Sequence, residues 1–282
     1  MLNKIALGTV QFGMNYGVTN LDGQVHLNEV EKILKYAKES GISLLDTSSE
    51  YGNSEEVLGK IGVDDYEVIT KTTSLEYGAE SAINSFYYSL EKLKKDTVAG
   101  LLIHNFEDIK NTEFNDFFKQ LKDLRKEGVL QKIGFSVYSP KQVDFLLENF
   151  DFDLIQLPFN VFDNRLVEGE QIKKLKDKGI EIHARSVFLQ GVLLNFNNLP
   201  EYFSAWTRQF KDYQEIVKKS GLSLLEYALN FVLNTPEIDK VLVGVGSQKQ
   251  LREIIDATNK YNNLTSYTIN DLELLNPSLW KV

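Results

Sequence analysis

Four side chains able to hold or move a proton stand at regular places in this chain. Asp46 and Tyr51 belong to the stretch Asp46-Thr47-Ser48-Ser49-Glu50-Tyr51-Gly52. Lys71 follows the run Glu67-Val68-Ile69-Thr70, and His104 follows Gly100-Leu101-Leu102-Ile103. A phenol has an ordinary pKa of about 10, too high for easy proton exchange near neutrality. An ammonium beside it favours the phenolate and lowers that pKa. An aspartate beside the ammonium keeps it charged and fixes its direction, and a histidine nearby can hydrogen-bond a substrate oxygen. Such a group suits protonation of a carbonyl oxygen while something else attacks the carbon. None of these side chains is a hydride donor, so a reducing cofactor has to supply it.

Each residue also has an ordinary structural role open to it. Asp46 can cap a helix or turn, Lys71 can be solvated, Tyr51 is one of thirteen tyrosines and His104 can bond backbone. Their placement at three successive strand ends argues against coincidence. Short apolar runs are read as strands at 5–9, 42–45, 66–70, 98–103, 132–136, 154–157, 180–184 and 240–243. Helical stripes lie between them, such as Val30, Ile33, Leu34 and Ala37, or Phe114, Phe117, Phe118, Leu121 and Leu124. One helix is expected from about Leu166 to Lys178. Asn53 with Glu56, and Ser139 with Gln142, have capping-box spacing. Eight strand–helix units imply parallel strands covered on both faces. In 282 residues this favours one (β/α)8 TIM barrel domain over 1–282, since such barrels take about 250 residues. An open doubly wound sheet is the alternative, weakened because no G-x-G-x-x-G follows an early strand. In a barrel, active sites sit at the C-terminal strand ends, which is where Asp46, Lys71 and His104 stand.

Composition narrows the partners. The net charge of −9 argues against nucleic acid or an anionic membrane. There is no cysteine, which removes disulfides, thiolate metal sites and cysteine nucleophiles, and no metal is expected. No apolar run could span a bilayer or serve as a signal peptide. A soluble, cytoplasmic protein is expected, monomeric or weakly self-associating.

The order Asp46 to Gly52, Lys71, then Leu102-Ile103-His104 resembles the aldo-keto reductase superfamily over nearly the whole chain. The resemblance implies a barrel that reduces an aldehyde or ketone, small or sugar-like, with a nicotinamide cofactor. It makes Tyr51 the general acid/base, Lys71 its tuner, Asp46 the partner of Lys71, and His104 the residue that orients the carbonyl. For the cofactor it implies Ser136 and Gln156 at the carboxamide, with Val137 where relatives carry Asn. Arg185, followed by Ser186 and Phe188, stands at the nicotinamide-stacking position. A guanidinium there would oppose the oxidised ring and favour the reduced one.

Gly8 and Gly13 bracket Thr9 and let backbone approach a ligand, so Gly8 and Thr9 join the cofactor residues. After the last strand, Gly244, Gly246 and Ser247 precede a helix N-terminus suited to phosphate. There Gln250 stands where relatives place an Arg for the 2′-phosphate, and Glu253 where they place an acid near adenine. Gln250 can equally serve as the third residue of a capping box. Lys249 or Arg252 is left to supply the charge, and NADPH is favoured over NADH. Phe12, Tyr51, His104 and Phe106 are expected at the substrate. Two other functions fit: a nucleotide-binding sensor or regulatory subunit with little turnover, or a barrel aldolase or isomerase using Lys71 as a Schiff base.

Overall fold

The structure is a computed structural model that describes residues 1–259, 261 and 264–281. Eight parallel strands close into a barrel in chain order. They are β1 Ile5–Gly8, β2 Leu44–Asp46, β3 Glu67–Lys71 and β4 Gly100–Ile103. Then come β5 Ile133–Ser136, β6 Leu154–Pro158, β7 Glu181–Arg185 and β8 Lys240–Gly244. The barrel shuts where Gly8 of β1 pairs with both Asp46 of β2 and Gly244 of β8. The expected (β/α)8 architecture is present.

Strand side chains alternate between the barrel interior and the layer of helices outside it. Ala6, Leu44, Ile69, Leu102, Leu154 and Leu242 form one buried cluster, the barrel's apolar filling. Two residues further along the same strands stand Gly8, Asp46, Lys71, His104, Gln156 and Gly244. The period of two therefore sets a polar tier on an apolar one at the C-terminal mouth. The intervening residues, such as Leu45, Val68, Leu101 and Ile155, face outward into a large core shared with the helices. Gly134 pairs with both Leu102 and Leu154. A Cβ there would lie 2.2 Å from the Leu154 carbonyl oxygen, so only glycine fits.

The helix stripes behave as their spacing predicts. Leu27–Glu39 buries Val30, Ile33, Leu34 and Ala37, and Phe114–Lys126 buries Phe114, Phe117, Phe118, Leu121 and Leu124 in the same core as β5. Ser139 and Gln142 form the expected capping box with Pro140 in the first turn. Two local expectations fail. The helix read over 166–178 is two helices, Arg165–Glu168 and Gln171–Asp177, because Glu170 takes φ 63° after Gly169. Asn53 does not cap its helix by its side chain; its Oδ1 instead accepts from Gln24 Nε2 at 2.7 Å.

Strand β7 is polar inside along its length. His183 is fully buried, and its Nε2 lies 2.7 Å from Glu181 Oε1, while Lys132 Nζ pairs with Glu181 Oε2. Between β7 and β8, helices Thr207–Ser220 and Leu224–Leu233 join Leu274 and Leu275 in a second apolar cluster that braces the loop after β7. No helix among the described residues is long and apolar enough to cross a membrane.

Candidate active site

Asp46 and Lys71 end adjacent strands, with Ile69 the register partner of Asp46. Lys71 Nζ donates to Asp46 Oδ1 at 2.6 Å and to the Thr47 carbonyl at 2.8 Å. The two side chains are only 1% and 5% exposed. Asp46 Oδ2 accepts from Gln156 Nε2 at 2.7 Å. A buried ion pair holds only when its remaining hydrogen-bonding groups are also met, and here both carboxylate oxygens are. The Tyr51 ring centroid is 4.9 Å from Lys71 Nζ. His104 meets that ring edge-on, with centroids 6.1 Å apart and planes at 82°. The structure thus brings the four sequence-chosen residues together at the barrel mouth.

The Tyr51 loop is shaped by its own backbone. Tyr51 N–H donates to the Ser48 carbonyl and Ser54 N–H to the Tyr51 carbonyl. Gly52 takes φ 56°. A Cβ on Gly13 would lie 1.8 Å from the Tyr51 carbonyl oxygen. Gly13 therefore serves close packing of this loop on the short helix Val10–Gly13, not the approach of a ligand as its position had suggested.

Burial pushes the Tyr51 phenol above its ordinary pKa, and the Lys71 ammonium pulls it back only in part. The sequence expectation of a lowered Tyr51 is reversed here because desolvation outweighs one charge that Asp46 largely satisfies. Burial alone would lower Lys71, but Asp46 and then Tyr51 outweigh it and hold it above its usual value. A Schiff-base lysine must become neutral to attack, so this pairing opposes the aldolase alternative.

Above the four residues lies a cleft of about 720 Å³ that runs to the loop after β8. Every expected cofactor residue lines it except Ser247. The Ser247 hydroxyl caps the helix Gln248–Asp256, accepting from Gln250 N–H at 3.2 Å. Gln250 Oε1 accepts from Gly246 N–H at 2.7 Å, one residue before the Ser247 N-cap, so it does not close the capping box and instead occupies one backbone N–H of the glycine loop. Lys249 lies 3.8 Å from Glu253, and Arg252 stacks over Tyr36 at 4.9 Å. Neither lines the cleft, so neither supplies the charge expected of it.

Arg185 Nη2 donates to the Val137 carbonyl at 3.0 Å and Nη1 to Ser186 Oγ at 3.3 Å, with the guanidinium 4.0 Å over Tyr138. None of these partners is a carboxylate. The Val137 side chain is fully buried; its carbonyl, not its side chain, serves the site. Gln11, on the cleft wall, has a buried Oε1 without a hydrogen-bond partner. An orphaned acceptor and a flat, uncompensated cation in one long polar cleft suit an amide-bearing, phosphate-bearing ligand. The residues present therefore fit a nicotinamide dinucleotide.

Phe12 and Phe106 do not reach the cleft. Phe12 is fully buried in the layer between barrel and helices. Phe106 packs on the same core and edge-on against Phe145 at 6.0 Å. The cleft near Tyr51 is walled instead by Tyr16 and Tyr138. Sequence reasoning also passed over Gln11 and Glu50. Tyr138 lies two residues beyond Ser136 and Glu50 just before Tyr51, so both were discoverable by extending strand-end logic. Tyr16 sits in an irregular loop with no periodic signal.

The model of the Aldo/keto reductase family matches residues 4–277. The chain is 26% identical to the uncharacterized oxidoreductase YqkF of Bacillus subtilis, covering 96% of each protein. It is 27% identical to L-galactose dehydrogenase of Arabidopsis thaliana, covering 90% of this chain and 86% of that protein. Among solved structures, the holo form of aldo-keto reductase AKR11C1 from Bacillus halodurans superposes with a TM-score of 0.74 at 20% identity, over 92% of this chain and 87% of that one.

Proposed function

The chain belongs to the aldo/keto reductase family, a nicotinamide-dependent oxidoreductase by that membership, and we propose that it reduces the carbonyl group of a small, sugar-like aldehyde or ketone with Tyr51 as proton donor. The observation that carries this reading is the buried Asp46–Lys71 pair beneath a phenol whose pKa burial has raised. A raised pKa keeps Tyr51 protonated at neutral pH, which is the state a reductase needs.

When bound, the nicotinamide supplies the hydride. Ser136, Gln156, Arg185 and Gln11 are the residues that would hold its ring and amide, and the loop Gly244–Gly246 would hold phosphate. As the carbonyl oxygen gains negative charge, Tyr51 releases its phenolic proton to it. Lys71 stabilises the phenolate left behind, and Asp46 and the Thr47 carbonyl keep the ammonium aimed. The proton is regained from water at the open mouth. The polar wall of Tyr16, Tyr138 and His104 and the name of one relative, L-galactose dehydrogenase, both support a hydroxylated substrate. The sequence favours NADPH, but the geometry removes the cations on which that preference rested. The reading adopted is that NADH serves at least as well.

Steady-state oxidation of NADH over a panel of aldoses and ketones tests the proposal. Tyr51→Phe is expected to lower kcat/KM by roughly 10²–10⁴-fold, the usual worth of a general acid, with dinucleotide affinity kept. Full activity in Tyr51→Phe would overturn the assignment. A single slow turnover per bound nucleotide in the unaltered protein would favour the sensor.

A further inference from the structure

Arg185 brings to the cleft a charge that no carboxylate neutralises. It ends β7, as the register partner of Pro158, and lines the cleft. Its guanidinium lies 4.0 Å over the Tyr138 ring, and its edge donates to the Val137 carbonyl at 3.0 Å and to Ser186 Oγ at 3.3 Å. Ser186 takes φ 58°, a left-handed turn directly after the strand. These contacts fix the direction of the cation without cancelling it. The carboxylates in and beside the cleft are committed elsewhere: Asp46 to Lys71, Glu50 to His104 and Glu253 to Lys249. Asp22 lines the cleft from an exposed loop, and no ion pair among the described residues joins it to Arg185.

We propose that Arg185 discriminates between the two oxidation states of the nucleotide: the neutral reduced ring is held, while the guanidinium repels the cationic oxidised ring and speeds its release. This rests on the reading of the cleft as a nicotinamide-dependent reductase site.

A hydride donor has to stand within about 3–3.5 Å of the carbonyl carbon, and the oxygen on that carbon meets Tyr51. The ring therefore works close to Tyr51, and so does Arg185. Burial raises the phenols of Tyr51 and Tyr16, and in both the Arg185 charge is among the groups that pull the pKa back. At the effective dielectric of about 20 that is typical near a protein surface, like charges within about 10 Å repel by more than a tenfold step in affinity. A neutral ring meets no such repulsion, and a guanidinium can stack on it.

The repulsion acts at one stage of the cycle. Tyr51 becomes singly negative when it gives up its proton, in the same conversion that leaves the ring singly positive. Arg185 is attracted to the one and repelled by the other, so its charge largely cancels while the two coexist. Once Tyr51 regains a proton from water, the attraction is gone and the repulsion stands alone. Lys71 adds no comparable push, because Asp46 balances it. The equilibrium between free reactants and products is untouched. Arg185 changes the relative affinity of the two nucleotides and the rate at which the oxidised one departs.

Calorimetric titration with NADH and NAD+, and with NADPH and NADP+, reads the discrimination without turnover. In the unaltered protein the reduced form is expected to bind about tenfold or more tightly than the oxidised form of the same nucleotide. Arg185→Lys keeps the charge and is expected to keep most of that ratio. Arg185→Gln is expected to bring it towards one, chiefly by tightening the oxidised form. Arg185→Tyr, a second neutral variant that restores a flat ring, carries the same expectation should the first not fold. Equal affinity for the two forms in the unaltered protein overturns the proposal. So does a neutral variant that binds both forms more weakly with the ratio unchanged, the behaviour of a residue that only stacks. If no nucleotide binds, the proposal and the reading of the cleft fail together. If the ratios are as expected and no carbonyl is reduced, the reductase reading fails alone.

Discussion

Lys71 Nζ stands between Asp46 Oδ1 at 2.6 Å and the Tyr51 ring centroid at 4.9 Å, almost wholly out of water. Its charge balances a buried carboxylate and, in the proposed mechanism, would stabilise the phenolate formed during proton transfer. These roles can be separated by substitution. Lys71→Met keeps much of the side-chain volume but leaves Asp46 buried with Gln156 as its remaining side-chain donor. Breaking a buried pair from one side typically costs about 3–5 kcal/mol, so the urea midpoint is expected to fall sharply. The double change Lys71→Met with Asp46→Asn removes the stranded charge and is expected to recover most of that stability without recovering activity. Equal instability of the single and double variants would show that the pair contributes packing and not charge balance.

On the proposed reading, discrimination between nucleotides rests on one element, the helix Gln248–Asp256 and the loop leading into it. Gln250 bonds back to Gly246, Lys249 leans on Glu253, and Arg252 turns to Tyr36. Glu253 lines the cleft while the two cations do not. A 2′-phosphate at this end of the cleft would meet a carboxylate; a ribose hydroxyl could donate to it. The ratio of kcat/KM for NADH over NADPH is therefore expected at or above one. Glu253→Gln is expected to raise NADPH use by up to ~10-fold, since 1.4 kcal/mol is a factor of ten and the site is open to screening. Strong NADPH preference in the unaltered protein would mean that Lys249 or Arg252 swings into the cleft on binding. The resemblance supplied the places to look, but the directions of Lys249 and Arg252 depend on partners, and Tyr36 is remote from Arg252 in sequence.

For the whole barrel, the polar residues below the apolar tier tie acid stability to β7. The Glu181 carboxyl is pushed down to about 2 by its hydrogen bond from His183 and then by Lys132, against the effect of burial. Its folded pKa lies below its unfolded value, so the stabilisation is complete above about pH 4.5. It is lost as pH falls through that range towards 2. Discounted for partial exposure, it is worth roughly 2 kcal/mol. Urea unfolding measured from pH 7 to pH 2 should show the difference between the unaltered protein and Glu181→Gln shrinking to nothing at the acid end. A difference that stays constant with pH would exclude this linkage.

The barrel and Asp46, Lys71 and His104 at its mouth were legible from sequence because they depend on local periodicity, while Tyr51, in the loop after β2, was legible from its chemistry beside Asp46. Strand alternation of two aims Leu44 and Asp46, Ile69 and Lys71, Leu102 and His104 into one interior, whatever the loops do. The family resemblance marked Ser136 and Gln156, and the glycines before a helix N-terminus marked Gly244 and Gly246 as candidates for phosphate. Only the tertiary structure decided matters that turn on burial and on contacts between distant segments. It raised the Tyr51 pKa because desolvation exceeds the pull of one paired lysine. It put Phe12 in the core and packed Phe106 against it, joined Arg185 to the Val137 carbonyl, turned Lys249 and Arg252 away from the cleft, and set Glu50 against His104. Such outcomes depend on which groups lose water together, and no spacing along the chain encodes that.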